Sequence, residues 1–289
     1  MSKIIANKYR IDSILSKGSF GIVCKGTHLK SNDEIVAIKI ETNSKSLKHE
    51  VKILNYLYTN KIRKIPAIYW YGNHDEHPCL VMTYYEYSIL EVIEKKILDV
   101  PKMDQIMFKM LEIISQIHTQ YVLHRDIKPA NFMMKNGELY LIDFGLSTFF
   151  ITDGEQHIPN EYSETLVGSP NFISINIFDG NRYSRRDDII SLGYIYVMMG
   201  LQTIPWTTTC AITCATTCIP SFESEYLEVD IRHPKNKIRR ENRILSLFLE
   251  RYCIGMNENI VEYLKYVYGL AYDEKPKYGY LMELFGKFA

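Results

Sequence analysis

Four short stretches stand out for the chemistry their residue types and spacing allow. Ser16-Lys17-Gly18-Ser19-Phe20-Gly21-Ile22-Val23 lies between two strand-like runs. Glycines there let a backbone bend tightly and turn N–H groups toward phosphate oxygens. On its own the pattern also fits an ordinary hairpin. Val36-Ala37-Ile38-Lys39 ends an apolar strand in an ammonium that is costly to bury unpaired. Glu50, on the amphipathic stretch that follows, is the candidate partner; two unrelated surface charges are the plain alternative. His124-Arg125-Asp126-Ile127-Lys128-Pro129-Ala130-Asn131 gathers a carboxylate, an ammonium and a carboxamide within a few residues. Asp143-Phe144-Gly145 follows the apolar run Leu139 to Ile142, seventeen residues past Asp126.

The last two stretches resemble the catalytic loop and the metal-binding turn of protein kinases. The resemblance implies roles residue by residue. Asp126 would accept the proton of the substrate hydroxyl, and Lys128 would stabilise charge on the γ-phosphoryl. Asn131 and Asp143 would hold Mg²⁺. Lys39 would bind the α/β-phosphates, with Glu50 fixing its position. The ATP site would comprise Leu15, Ser16, Gly18, Ser19, Phe20, Gly21, Val23, Ala37, Lys39, Met82, Tyr85 and Asp143. Ser16 departs from the pattern, since kinase loops carry their first Gly there. Met82 would guard the back of the nucleotide pocket, and Thr83, Tyr84 and Tyr85 would form the hinge, with Glu86-Tyr87 in place of an expected Gly-Pro. Lys two residues after the catalytic Asp is the Ser/Thr type. Ser169 would keep the hydroxyl that Thr usually supplies between catalytic Asp and Lys, and Asp188 would cap the catalytic-loop backbone. Phosphoryl transfer depends on positioning and charge neutralisation more than on covalent chemistry. Every charged group of that template is present. The expectation is an active Ser/Thr protein kinase that uses ATP and Mg²⁺ on protein substrates. The alternative is a catalytically impaired pseudokinase that binds nucleotide or partners.

These residues need elements to hold them. Tyr9 to Leu15, Ile22 to Thr27, Ile35 to Ile40 and Leu80 to Thr83 read as strands. Lys45 to Tyr58 carries apolar residues at spacings of three and four, as an amphipathic helix does. Beyond about residue 88 helices dominate, with candidates at Gln105 to His118, Asp187 to Met199, Ile244 to Tyr252 and Asn259 to Tyr268. The fold class is therefore α+β, a bilobal protein-kinase fold with a β-rich N-lobe and a mainly helical C-lobe. A single domain over 1–289 is expected, its N-lobe about 1–85 and its C-lobe about 88–289.

Bulk properties narrow the rest. Of 289 residues, 46% are hydrophobic, enough for a sizeable core. Basic and acidic residues balance at 34 each, which removes any bulk electrostatic case for nucleic acid or an anionic membrane. No apolar run is long enough to span a membrane and no secretion signal opens the chain, so a cytoplasmic monomer is expected. The six cysteines form no dense framework, and Cys210, Cys214 and Cys218 lack the second ligand pair of a zinc site. The basic stretch His233 to Arg243 reads as a solvated loop, with a nuclear signal as its alternative.

Within the kinases the chain resembles the casein kinase I family, with vaccinia-related kinases as cousins. Ser174-Ile175-Asn176 stands where most kinases have Ala-Pro-Glu. Ser184-Arg185-Arg186-Asp187-Asp188, His157-Ile158-Pro159, Pro205-Trp206 and Asp273-Glu274-Lys275-Pro276 extend the likeness. That family reads an acidic or phosphorylated residue with basic side chains near the activation segment. Here Glu161, Glu164 and Asn171 occupy those positions, and Thr207 to Cys218 holds no basic residue. A weakened preference for acidic or phospho-primed substrates is expected, unless Arg182, Arg185 and Arg186 still form an anion site. The resemblance also implies basal activity without activation-segment phosphorylation, and the end at Ala289 implies no autoinhibitory tail or lipid anchor.

Overall fold

Val36, Ile38 and Ile40 alternate along one strand, and their burial on a single face organises the first part of the molecule. The computed structural model describes residues 4–18, 21–31, 33–42, 47–95, 97–154, 156–203 and 229–286. The expectations for Ser19, Phe20, Pro205-Trp206 and the 207–218 stretch with its three cysteines lie outside those residues. The chain divides into two compact units: residues 1–88 with 133–147, and residues 89–132 with 148–289.

The first unit is a six-stranded antiparallel sheet plus a helix and a hairpin. Its strands are β1 (Ile4–Ile5), β2 (Tyr9–Gly18), β3 (Gly21–His28), β4 (Glu34–Glu41), β5 (Ile68–His74) and β6 (His77–Thr83), in the order β1-β2-β3-β4-β6-β5. Strand β2 runs past Leu15 into the glycine turn, so Ser16 pairs with Val23 and Gly18 with Gly21. One face of the sheet packs Ile5, Tyr9, Cys24, Val36, Ile38, Ile40, Cys79 and Val81 into a core. Helix α1 (Leu47–Thr59) buries Leu47, Glu50, Val51, Ile53, Leu54 and Leu57, the three-and-four spacing of an amphipathic helix. Its first free N–H, from Leu47, is accepted by the Glu41 carboxylate at 2.9 Å, which ties the end of β4 to the start of α1. The strands Phe132–Lys135 and Glu138–Leu141 form a hairpin joined to Tyr87–Ser88. Its two-residue turn, Asn136-Gly137, has φ of 51° and 74°, the left-handed pair a tight hairpin needs.

The second unit is mainly helical: α2 (Ile89–Lys95), α3 (Val100–Thr119), α4 (Ile175–Phe178), α5 (Arg185–Leu201), α6 (Pro234–Glu241), α7 (Leu245–Tyr252), α8 (Glu258–Tyr268) and α9 (Tyr278–Phe285). Helix α3 starts earlier than its apolar stripe announced. Asp99 caps it by accepting the Lys102 N–H at 2.9 Å, and Pro101 fits its first turn. Helix α5 is buried on every side from Asp187 to Met199, as a helix at the centre of a unit must be. The basic stretch near 233–243 is not the solvated loop expected of it. It folds as α6, and Arg243 just beyond is fully buried. A β-rich first unit and a helical second unit match the α+β class expected from the sequence.

Candidate active site

The first unit builds an ion-paired cluster. Lys39, on β4, points away from the sheet core, and its Nζ lies 2.7 Å from Glu50 Oε2 on α1. The same Nζ lies 3.0 Å from Asp143 Oδ1. Glu50 is wholly buried, while Asp143 keeps 31% of its side chain exposed. Burial alone would push the Lys39 ammonium toward neutrality, but the charges of Asp143 and Glu50 outweigh it and hold its pKa above the ordinary value. Burial also pushes the Glu50 carboxyl up, against the pull of Lys39. Asp143 sits at φ 65°, a left-handed conformation that Asp tolerates better than most residues and that turns its carboxylate toward Lys39.

The glycine turn shows two kinds of glycine. Gly21 has φ 151°, and a Cβ there would collide with the Ile40 carbonyl. Gly18 has open space around the same position. Ser16 and Leu15 are exposed, whereas Ala37, Met82 and Tyr85 are buried. The stretch after Met82 is held by the hairpin. The Glu86 N–H donates to Met134 O at 2.9 Å, and the Glu86 carboxylate accepts the Asn136 N–H at 3.0 Å. Glu86 in place of a glycine thus has a structural task that spacing did not disclose.

The second unit builds a hydrogen-bonded cluster around Asp126, which is 2% exposed. Asp126 Oδ1 accepts from Ser169 Oγ at 2.7 Å and from the Ser169 N–H at 3.0 Å. Its Oδ2 lies 2.8 Å from Lys128 Nζ and accepts from Asn131 Nδ2 at 3.0 Å. Lys128 Nζ also donates to Ser169 Oγ at 3.2 Å. Gly168, at φ 99°, lets the chain pass closely. A Cβ there would stand 2.5 Å from the Arg125 carbonyl.

Arg125 itself sits at φ 66°, and strained backbone of this kind persists only where surroundings enforce it. Asp188, at the start of α5, does so: Oδ2 accepts the His124 N–H at 2.8 Å and Oδ1 the Arg125 N–H at 2.9 Å. His118 Nε2, on α3, meets Oδ2 at 2.9 Å, and its Nδ1 bonds the Tyr278 hydroxyl of α9. Burial would raise the Asp188 carboxyl, but the His118 hydrogen bond and the charge and backbone donor at His118 and His124 carry it below the ordinary range. No sequence signal singled out His118, which reads as one more residue at a helix end.

A second buried carboxylate explains why two motifs occur together. Asp187 Oδ1 accepts from Ser174 Oγ at 2.5 Å and from Asn176 Nδ2 at 3.0 Å, and Oδ2 accepts the Ser184 N–H at 2.7 Å. Ser174-Ile175-Asn176 and the Asp187 of Ser184-Arg185-Arg186-Asp187-Asp188 are one cluster. The arginines proposed as an anion site make other contacts as well. Arg182 pairs with Glu161 at 3.1 Å. Arg185 donates to the Asp273 carbonyl and lies over Phe150. Arg186 donates to the Leu270 carbonyl at 3.0 Å. Glu164 in turn pairs with Arg232 at 3.1 Å.

Each unit separately offers an oxygen donor of the kind a hard cation takes. Asp143 offers a partly exposed carboxylate. Asn131 commits its Nδ2 to Asp126, which leaves Oδ1 as its acceptor atom. No group of three or more His, Cys, Asp or Glu side chains arranged for a metal occurs among the described residues.

The protein kinase domain model matches residues 9–263, and the chain belongs to that family. It has the bilobal α+β protein-kinase fold, and its activity is that of a kinase, a phosphotransferase. No helix among the described residues is long and apolar enough to cross a membrane.

Proposed function

We propose that this protein is an active serine/threonine kinase of casein kinase I type that uses ATP and Mg²⁺ and has lost most of that group's preference for acidic or phosphorylated substrates. The observation that carries the Ser/Thr reading is the Asp126, Lys128 and Ser169 cluster, in which one carboxylate, one ammonium and one hydroxyl are already within hydrogen-bond reach. Asp126 accepts four donors from Ser169, Lys128 and Asn131, about the capacity of a carboxylate. An arriving acceptor hydroxyl therefore needs one donor to move. Lys128 is the one on a flexible stem, and it would turn to the γ-phosphoryl as the charge there develops. Asp126 then takes the hydroxyl's hydrogen bond and its proton, while Ser169 and Asn131 keep the carboxylate in place. Lys39, fixed by Glu50, would bind the α/β-phosphates. Asn131 and Asp143 would hold Mg²⁺, which neutralises the phosphate charge when bound. Leu15, Ser16, Gly18, Ser19, Phe20, Gly21, Val23, Ala37, Met82 and Tyr85 would complete the ATP site. A scaffold that only binds nucleotide would be expected to lack one of these charged groups, and none is missing.

The reading of substrate choice rests on Glu161, Glu164 and Asn171. Two of them are acids, and each acid consumes a nearby arginine, Arg182 or Arg232. Phosphate recognition needs uncommitted positive charge. The test has two parts. Purified protein is incubated with labelled ATP, Mg²⁺ and casein beside Lys39→Met and Asp143→Asn. Label in the wild type alone supports the kinase reading, and equal label in all three defeats it. A peptide library with phosphoserine at each position before the acceptor then reads preference. Strong selection for phosphoserine three residues upstream would sink the specificity reading.

A further inference from the structure

Arg243 follows α6 and is 0% exposed, the largest fully buried side chain among the described residues. Among the described residues its guanidinium meets no carboxylate. Nη1 donates to Arg239 O at 2.8 Å, and Nη2 donates to Pro170 O at 3.0 Å and Asn171 O at 2.6 Å. The group lies 5.0 Å from the centre of the Phe178 ring and 5.3 Å from that of Tyr194. Burial lowers its pKa to about 10, so it is still charged at neutral pH. A buried charge with no counter-charge among the described residues is costly, and here three backbone carbonyls offset part of that cost.

What the charge does is visible in its partners. Pro170 and Asn171 directly follow Ser169, whose N–H and Oγ grip Asp126. Both bonds come from Nη2, whose two N–H vectors are fixed in the guanidinium plane that Nη1 anchors on the Arg239 carbonyl, whereas the N–H vectors of an ammonium rotate on their stem. The same turn is closed from within by the Phe172 and Ile173 N–H groups, which donate to Ser169 O at 2.8 and 3.1 Å.

We propose that Arg243 is a positioning residue for phosphoryl transfer, which holds the backbone of Pro170 and Asn171 so that Ser169 keeps its contacts with Asp126 and the acceptor peptide meets a fixed chain. The inference rests on the kinase reading above for the part played by Ser169. Arg243→Met and Arg243→Lys test it. In Arg243→Met the thermal midpoint should fall, because the carbonyls of Arg239, Pro170 and Asn171 lose their donor, an effect only partly offset by the loss of a desolvated charge. Peptide kcat/KM should fall about 30-fold, about 2 kcal/mol at 1.4 kcal/mol per tenfold, while the KM for ATP stays within about twofold. Arg243→Lys keeps the charge but gives up the fixed plane and the Nη1 anchor on the Arg239 carbonyl, and should show a loss of about tenfold in peptide kcat/KM with the KM for ATP little changed. Amide exchange at Phe172 and Ile173 should quicken in both variants. Peptide kcat/KM unchanged in folded variants overturns the proposal, as does a parallel loss of midpoint, ATP affinity and peptide turnover in Arg243→Lys. If the wild type transfers no phosphate, the kinase reading fails, and unchanged exchange at 172 and 173 overturns the positioning role independently.

Discussion

Replacing Asp188 by Asn removes one charge and one acceptor oxygen from a site where every atom is used. The carboxylate is buried and accepts from His118 Nε2 and from the N–H groups of His124 and Arg125 at 2.8 to 2.9 Å. A carboxamide has one acceptor oxygen and turns an NH₂ group toward the remaining donor. One orphaned buried donor costs about 1–3 kcal/mol, and the surviving bonds weaken because they are no longer charge-assisted. The total is about 3–5 kcal/mol, in the range for breaking a buried pair. At about 2–4 °C per kcal/mol, the thermal midpoint should fall by roughly 10 °C. The strained Arg125 also loses its restraint, and a shift of about 1 Å in the loop carrying Asp126 should lower peptide turnover by about 100-fold. Thermal unfolding followed by fluorescence, beside peptide phosphorylation at neutral pH, measures both. The pH dependence is a sharper check. Asp188 ionises more readily folded than unfolded, so its contribution is complete above the ordinary carboxylate pKa of about 4 and is lost as pH falls through the lower folded value. The midpoint gap between wild type and variant should be constant from neutral pH down to about pH 5 and narrow only below about pH 4. A gap under about 2 °C, or one that narrows near neutrality, would refute the reasoning.

Gly168→Ala should reduce peptide turnover by about 100-fold with ATP binding intact, because its Cβ would press on the Arg125 carbonyl and displace Ser169; turnover within threefold of wild type contradicts this. Gly21→Ala should lower the thermal midpoint, whereas Gly18→Ala should leave it unchanged and weaken ATP binding alone, a contrast read by thermal unfolding with and without nucleotide. Ser169→Thr should retain activity and Ser169→Ala lose at least about tenfold in kcat, since only the hydroxyl bridges Asp126 and Lys128; equal rates would remove that bridge from the mechanism.

The parts of the site that were legible in the sequence are those where chemistry demands a residue type at a fixed offset. Asp126, Lys128 and Asn131 share one short loop, so their spacing is their geometry. Lys39 and Glu50 were legible because an ammonium ending an apolar strand requires a partner on the next element. Less legible was anything whose meaning depends on the far end of a contact. His118 serves Asp188, seventy residues on. Arg243 was hidden among lysines and arginines that do face water, and charge alone does not distinguish a buried guanidinium from a solvated one. The hairpin at 132–141 went unread, and its place in the first unit depends on pairing with Tyr87–Ser88 and on contacts with Lys64, far off in sequence. The reach of α3 back to Val100 depended on Asp99 and Pro101, cap chemistry that an apolar stripe does not register.

The cluster at Asp187 bears on how such a chain can change over time. Ser174, Asn176 and the Ser184 N–H converge on one carboxylate sealed from water, whose pKa burial raises. Altering Asp187 strands the Ser174 hydroxyl, the Asn176 carboxamide and the Ser184 N–H, and altering Ser174 or Asn176 leaves the buried carboxylate one donor short. Asp187 is thus the position least open to change on its own, and exchange at 174 or 176 should be accompanied by exchange at 187. Among related chains, covariation at these three positions should therefore mark descent more reliably than the catalytic residues, which every active kinase must share.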